Sequence, residues 1–157
     1  MKGCMAQACW LALGLSGAAL AETAADRAVG RQLDQLKYTY EVDNDGDYKL
    51  VFDTDKGRTQ LVFVRSAVET FGAHHVREIW SPAYRTRTSQ FPAPVANRLL
   101  EASNESKLGS WVKQGDTAMF VVKLDADASV QSLSDALDAA IRTADTMELE
   151  LTSEDEF

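Results

Sequence analysis

Three consecutive strands joined by two tight turns are the feature that most constrains the fold, and they occupy residues 38–66. In the first two strands apolar and polar residues alternate, which is typical of a strand with one buried face. The third run, residues 60–65, is apolar on both faces, so we expect it to lie more centrally in the sheet. The turns fall at 44–46 and 55–57, where glycine and asparagine tolerate positive φ. The stretch predicts an antiparallel meander.

The remainder of the chain predicts helices that alternate with further strands. Apolar residues at helical spacing indicate helices over 23–37, 95–104 and 130–147. Alternating residues indicate a fourth strand over 74–81 and a hairpin with arms at 107–113 and 117–125. Because the connections are short, we expect antiparallel pairing, with the helices on one side of the sheet. The predicted class is α+β, with about six strands, three helices and the order α-β-β-β-β-α-β-β-α.

The connecting and terminal segments carry predictions of their own. Residues 67–72 and 84–90 are predicted to be loops. Pro82 lacks a backbone N–H, so we expect it to end the fourth strand or to confine that strand to an edge of the sheet. The tail over 148–157 holds five acidic residues and is predicted to fray.

The first 21 residues predict a secretory signal peptide. They carry one charge, on Lys2, followed by an apolar run and an A-x-A motif that ends at Ala21. These are the parts of a cleavable leader, so we predict cleavage between Ala21 and Glu22. The alternative is an uncleaved anchor, but a span needs about 20 apolar residues and this run is short. We therefore expect a periplasmic or secreted protein without a stable membrane anchor, with a single domain over 22–151 and an acidic tail over 152–157.

Charge and cysteine content narrow the classes of function. The chain has 157 residues and a net charge of −8, which becomes −9 when the leader removes Lys2. Nucleic-acid binding rests on clustered Lys and Arg, so we predict no nucleic-acid partner. Both cysteines, Cys4 and Cys9, also lie in the leader, which excludes a cysteine nucleophile and a cysteine-ligated zinc from the mature chain.

Two local patterns suggest metal binding, and both are better explained otherwise. Residues 42–47, VDNDGD, resemble a calcium loop, but the twelfth position falls on Phe52, where a bidentate Glu is required. A hairpin turn is favoured there, although weak surface binding of a divalent cation stays open. His74 and His75 are adjacent on a strand and therefore point to opposite faces. No nucleophile elbow or phosphate-binding glycine loop occurs, so we predict no catalytic residue, cofactor or metal ligand.

A surface for a protein partner is the remaining candidate site. Aromatic and arginine side chains are enriched where interfaces carry binding energy, and this pattern singles out Trp80, Tyr84, Arg85, Arg87 and Trp111. The alternative is that the two tryptophans belong partly to the core and that the loop with the arginines is solvated.

Three stretches together resemble the YbjN-type domain family. They are the meander with its DxDGDY turn, the segment over 95–125 (VANRLLEASNESKLGSWVKQGDTAMFVVKLD) and the closing SLSDALDAAIRTADTMELEL over 132–151. The resemblance covers residues 33–151 and implies the fold of type III secretion chaperones, an antiparallel sheet with flanking helices. Those chaperones are often dimers, so the resemblance also implies a homodimer as one assembly. It implies a binding or regulatory role and supplies no active site.

The sequence thus leads to two hypotheses from different classes. The first is an exported, non-enzymatic, chaperone-like or regulatory domain that binds a protein or peptide. The second is a small periplasmic hydrolase or ligand carrier with an atypical site. A pocket joining His74, Glu78 and Trp80 would favour the second hypothesis. A broad, shallow apolar face would favour the first, because large exposed apolar patches mark interfaces.

Overall fold

The computed structural model describes residues 24–157, which form one antiparallel sheet of six strands and three α-helices. The predicted cleavage site at Ala21 and Glu22 lies outside the described residues. The α+β class and the order of elements are confirmed. The helices are α1 (Arg27–Leu36), α2 (Ala93–Glu105) and α3 (Val130–Thr152). The strands are β1 (Glu41–Val42), β2 (Tyr48–Asp53), β3 (Thr59–Phe71), β4 (His74–Arg85), β5 (Ser110–Gln114) and β6 (Thr117–Asp125).

The strands lie in the order β1-β2-β3-β4-β6-β5, with every neighbouring pair antiparallel. The meander β1–β4 forms one half, and the hairpin β5–β6 adds to it through the pairing of β6 with β4. The register places apolar residues opposite one another across the whole sheet on one face. These pairs are Leu50 with Val62, Val64 with Ile79, Ile79 with Val122, and Trp111 with Phe120.

All three helices pack on that same face. Helix α3 contacts β3, β4 and β6, α2 contacts β5, and α1 lies against α3. Leu133 and Leu137 of α3 and Val29 and Leu33 of α1 are buried in one hydrophobic cluster with the paired strand residues. Helix periodicity explains this arrangement, because each helix turns one apolar stripe toward the sheet.

Helix α1 sits close to the sheet because it contains Gly30. A Cβ atom at this position would lie 2.8 Å from the Tyr48 hydroxyl oxygen, closer than side-chain atoms tolerate. The same hydroxyl donates a hydrogen bond of 2.9 Å to the backbone oxygen of Asp26. Glycine weakens a helix, but at this position its missing side chain allows α1 to pack against β2.

The predicted loop over 67–72 is wrong, because β3 continues to Phe71 and forms a long hairpin with β4. Val68, Glu69, Thr70 and Phe71 all have partners in the first residues of β4. The register shifts between Val64 and Val68, and this irregularity interrupts the alternation by which a strand is recognised. The two-residue turn contains Gly72 at a φ of 60°, which suits a tight hairpin.

The prediction for Pro82 is also wrong, because β4 is a central strand and runs on to Arg85. The register with β6 shifts between Pro82 and Tyr84, so the proline lies at a β-bulge, where a missing N–H is tolerated. Toward β3, the Gln60 side chain donates a hydrogen bond of 2.8 Å to the Pro82 carbonyl. The loop predicted over 84–90 accordingly begins two residues later, since Tyr84 and Arg85 belong to β4.

The predicted fraying of the tail is wrong as well. Helix α3 extends to Thr152, and the segment after it is held by hydrogen bonds to the body of the domain. The other differences concern the ends of elements. Helix α1 begins at Arg27 behind the N-cap Asp26, and β1 contains only Glu41 and Val42.

Candidate functional site

Among the described residues 24–157, no helix packs on one face of the sheet, and we call this face the uncovered face. The register places Leu61 and Phe63 of β3 beside Trp80 of β4, on the side opposite to Val62, Val64 and Ile79. Neighbouring strands extend the same row of apolar side chains in both directions. The uncovered face consists of Val51, Leu61, Phe63, Trp80, Pro82, Val112, Met119 and Val121.

These eight side chains are separate from the hydrophobic core. None of them belongs to the cluster of buried residues beneath the helices or to the partly buried residues packed against it. Val51 is 57% exposed, Pro82 and Val121 are buried among their neighbours, and the other five are half-buried within the sheet. An antiparallel sheet with one solvated face normally alternates apolar and polar residues, so a continuous apolar row on that face is unusual.

Trp80 lies at the centre of the uncovered face and is held from two sides. Its indole N–H donates a hydrogen bond of 2.8 Å to the Glu78 carboxylate. The Arg65 guanidinium lies 4.3 Å from the centre of the indole ring, in a cation–π arrangement. Arg65 is itself ion-paired with Asp47, whose carboxylate accepts the backbone N–H of Ser66 at 2.7 Å. These contacts hold the indole ring of Trp80 in one orientation.

Three ion pairs lie around the uncovered face. Lys49 pairs with Glu41 at 3.8 Å in the edge strands. Lys123 pairs with Glu78 at 3.0 Å beside Trp80, and the third pair is Arg65 with Asp47. Each of these pairs joins one cation to one carboxylate and is therefore neutral.

The five residues predicted as a partner surface do not lie together in the structure. Trp80 lies on the uncovered face, whereas Trp111 is buried on the helix side with its ring 5.3 Å from that of Phe120. Tyr84 is half-buried, with its ring 5.7 Å from that of Phe91. Arg85 and Arg87 line a cleft at the end of β4.

Sequence reasoning missed most residues of the uncovered face. Leu61, Phe63, Val112 and Met119 lie in predicted strands, yet their types and spacing do not mark them as surface residues. The signal that could have found them is the run over 60–65, which is apolar on both faces although a helix covers only one. Period-two alternation shows that two faces exist but does not tell which of them a helix covers.

The residues considered for metal binding are placed in a turn and at a hairpin tip. Asp43 accepts the backbone N–H groups of Asp45 and Asp47 at 2.9 Å each, as expected for a tight turn, and β1 pairs with β2 across it. His74 and His75 are exposed next to the turn of the β3–β4 hairpin. Within residues 24–157, no three His, Cys, Asp or Glu side chains are grouped so that they could hold a metal ion.

A buried carboxylate, Glu148, holds the C-terminal segment, which we define as residues 153–157. One Glu148 oxygen accepts the backbone N–H groups of Glu156 at 2.6 Å and Phe157 at 3.1 Å. Its other oxygen accepts a hydrogen bond of 3.0 Å from Arg58, which also donates to Asp145 at 2.8 Å. Burial raises the pKa of the Glu148 carboxyl, and the two N–H groups and Arg58 offset only part of this effect.

The C-terminal segment reaches the cleft that contains the two arginines, which we call the basic cleft. It is lined by Arg85, Thr86, Arg87, Thr88, Ser89, Asp116 and Glu156. The Glu156 carboxylate lies 3.3 Å from Arg85, and the Phe157 ring centre lies 5.2 Å from the same guanidinium. The Glu156 side chain therefore enters a cleft whose other lining residues are two arginines, three residues with hydroxyl groups and Asp116.

No family model matches the sequence, and no curated protein matches it either. The resemblance to the YbjN-type family therefore stays a prediction. None of the helices within residues 24–157 has the length and the apolar character that crossing a membrane requires.

Proposed function

We propose that this chain is an exported, non-enzymatic domain that binds a protein partner through the uncovered face. The observation that carries the proposal is the continuous apolar row centred on Trp80, which lies outside the core and beneath none of the three helices. Apolar patches rimmed by polar groups mark protein interaction sites on soluble domains. The leader at 1–21 supports export to the periplasm or beyond.

The composition of the uncovered face suits protein rather than a small molecule. Trp80 is a large, immobilised side chain at the centre of the patch, which is the position and residue type of an interface hot spot. Burial of such a side chain contributes about 1.5–3 kcal/mol. Small-molecule sites are instead concave and enclose their ligand, whereas a sheet face is broad and shallow.

The charges indicate what kind of partner surface fits. Three ion pairs neutralise the charges of Lys49, Arg65 and Lys123 around the apolar row. A partner with an apolar, charge-poor surface can therefore approach without opposing like charges. A second copy of this chain also offers such a surface, because the same apolar row would meet itself across a twofold axis.

The alternative of a hydrolase or ligand carrier has weaker support. A pocket that joins His74, Glu78 and Trp80 would favour it. Glu78 is instead engaged by the indole N–H and by Lys123, while His74 lies exposed beside the hairpin turn at the far end of β4. We therefore retain the binding domain as the proposed function.

The test compares capture of partners by variants of the full chain. Tagged protein is expressed with its leader, recovered from the cell envelope fraction and analysed with its bound partners by quantitative mass spectrometry. Trp80→Ala removes the central ring, and Val51→Lys places a charge at the end of the face, where 57% exposure leaves room for the longer side chain. Both variants should lose the partner, with an affinity loss of about 30-fold for Trp80→Ala, equivalent to about 2 kcal/mol.

The matched control is Leu100→Ala on α2. This leucine is 67% exposed, but it lies on the helix side of the domain. It should leave capture unchanged. Retention of the same partner by both Trp80→Ala and Val51→Lys would overturn the proposal, as would equal loss in all three variants. Measurement of self-association by analytical ultracentrifugation shows whether the captured partner is a second copy.

A further inference from the structure

We propose that the basic cleft is a second binding site, specific for an acidic peptide segment of a partner protein, and that Glu156 occupies it in cis as an internal ligand. The site lies at the end of β4 and is independent of the uncovered face. Three features support this site. The backbone of the cleft loop is held by hydrogen bonds, and the C-terminal segment enters the cleft with a carboxylate and an aromatic ring. The ion pair between Glu156 and Arg85, which occupies the cleft, is weak.

The loop that forms the cleft is held in one conformation. The backbone N–H of Thr86 donates a hydrogen bond of 2.9 Å to the Asp116 carbonyl in the β5–β6 turn. The Thr86 hydroxyl is buried and donates to the Gln90 carbonyl at 3.1 Å, and the Thr88 hydroxyl donates to the same carbonyl at 2.7 Å. These bonds hold the loop backbone from which Arg85 and Arg87 project on either side of Thr86, so the backbone needs little reorganisation to receive a ligand.

The C-terminal segment already shows which chemistry the cleft accepts. Its Glu156 carboxylate faces Arg85, and the Phe157 ring lies against the same guanidinium. A carboxylate next to an aromatic ring is thus accommodated by one arginine, while Arg87 remains exposed in the cleft lining. Guanidinium groups pair well with carboxylates and stack on rings, which makes an acidic peptide the fitting ligand. A nucleic acid is disfavoured because the chain carries −8.

The segment is anchored firmly through its backbone but weakly through Glu156. Buried Glu148 and Arg58 hold the backbone of residues 154, 156 and 157. By contrast, the side chains of the Glu156–Arg85 pair are 43% and 52% exposed. Exposed pairs of this kind change affinity by no more than about fivefold. A ligand carboxylate can therefore displace the Glu156 side chain while the segment itself stays in place.

The test uses a fluorescently labelled peptide of the sequence SEDEF, which copies residues 153–157, and full-length variants. Binding is followed by fluorescence anisotropy at low ionic strength. Glu156→Gln removes the internal carboxylate without shortening the side chain, so it should bind the peptide about fivefold more tightly than the unchanged protein. In the Glu156→Gln background, Arg87→Ala should weaken binding by about fivefold or more, and the neutral peptide SQNQF should not bind.

Two controls separate binding in the cleft from general charge attraction and from binding at the uncovered face. Arg31→Ala removes an exposed arginine on α1 and should leave peptide affinity unchanged. Trp80→Ala should also leave it unchanged, so a failure of this proposal is distinguishable from a failure of the proposed function. Equal affinity of the unchanged protein and Glu156→Gln would overturn the internal-ligand assignment. Equal affinity after Arg87→Ala, with melting temperatures preserved, would overturn the site.

Discussion

At the scale of single residues, two arginines, the buried Arg77 and the partly buried Arg58, connect the ends of the described chain to the rest of the domain. Arg77 of β4 donates to the N-cap Asp26 at 2.5 Å and to the backbone oxygen of Arg65 at 2.7 Å. Arg58 likewise reaches Asp145 and Glu148 of α3. Because a buried charge is tolerated only when it is paired, loss of one partner should cost more than loss of an exposed pair.

Asp26→Asn tests the first of these contacts. Burial alone would raise the pKa of Asp26, but the Ala28 N–H and Arg77 outweigh it, so the pKa is lowered. Asparagine keeps the N-cap and removes the charge, which should cost about 1.5–3 kcal/mol at neutral pH. Since the folded protein favours the ionised form, this contribution should disappear as the pH falls through the lowered pKa.

Urea unfolding between about pH 7 and about pH 3 measures this effect. Asp127→Asn, an exposed carboxylate in the turn before α3, serves as the control and should change nothing at either pH. A destabilisation of Asp26→Asn that persists undiminished at the acid end would contradict the assigned ion pair with Arg77.

Arg58→Met tests the second contact and has its own pH dependence. Removal of the guanidinium leaves the buried Glu148 carboxylate unpaired, which should cost about 3–5 kcal/mol at about pH 8. The pKa of Glu148 is raised in the folded protein, so folding favours its protonated form and the loss should shrink as the pH falls toward that raised pKa.

The matched control for Arg58→Met is Arg142→Met on α3. Its ion pair with Asp138 is exposed on both sides, so the urea midpoint should stay unchanged at about pH 8 and about pH 5. An equal effect of the two substitutions, or a loss at Arg58 that does not depend on pH, would show that Glu148 is not held as described.

At the scale of elements, helix α3 organises the core. It crosses β3, β4 and β6, and its residues Leu133 and Leu137 are each 1% exposed. The spacing of these leucines with Ala140 and Ala144 gives one continuous stripe, which packs on the sheet. Helix α3 is therefore a structural element of the domain rather than a free arm for a partner.

Leu137→Ala should lower the free energy of unfolding by about 2–5 kcal/mol, because it leaves a cavity under the helix. Chemical denaturation measures this loss against Asp138→Ala, whose side chain is exposed in the next position. The aspartate variant should melt like the unchanged protein. Near-equal, small effects of the two substitutions would contradict the packing of α3.

The elements also show how far sequence reasoning extends. Turn residues and period-two alternation predicted the meander and the β5–β6 hairpin, because both are local patterns. The register shift after Val64 hid the end of β3, and the position of Pro82 depends on a bulge and on Gln60, which is distant in sequence. Likewise, the burial of Glu148 depends on Arg58, 90 residues away along the chain. Long-range contacts of this kind leave no local pattern.

The candidate site was also predictable only in part. Trp80 was predicted as a partner residue from its type, and this stays a prediction, while the run over 60–65 contained the information that both faces of β3 are apolar. Which face receives the helices depends on the packing of α1, α2 and α3 together, which no single segment encodes. The other members of the uncovered face could therefore be recognised only after assembly of the sheet.

At the scale of the whole molecule, the domain separates a helix side from an apolar sheet side. The helix side encloses the core and the buried ion pairs of Arg58 and Arg77. The sheet side presents the uncovered face and the three ion pairs around it. We therefore expect a partner to cover the sheet side without disturbing the core.

The central claim, that the uncovered face is where a protein partner binds, is tested most directly by hydroxyl-radical footprinting of the captured complex. Oxidation of Trp80 and Met119 is quantified by mass spectrometry in the free protein and in the complex, with Phe71, 82% exposed at the tip of the β3–β4 hairpin, as the internal reference. We predict that Trp80 and Met119 become strongly protected while Phe71 does not. Unchanged oxidation of Trp80 and Met119, together with protection of exposed helix residues such as Leu100 and Leu149, would contradict the claim.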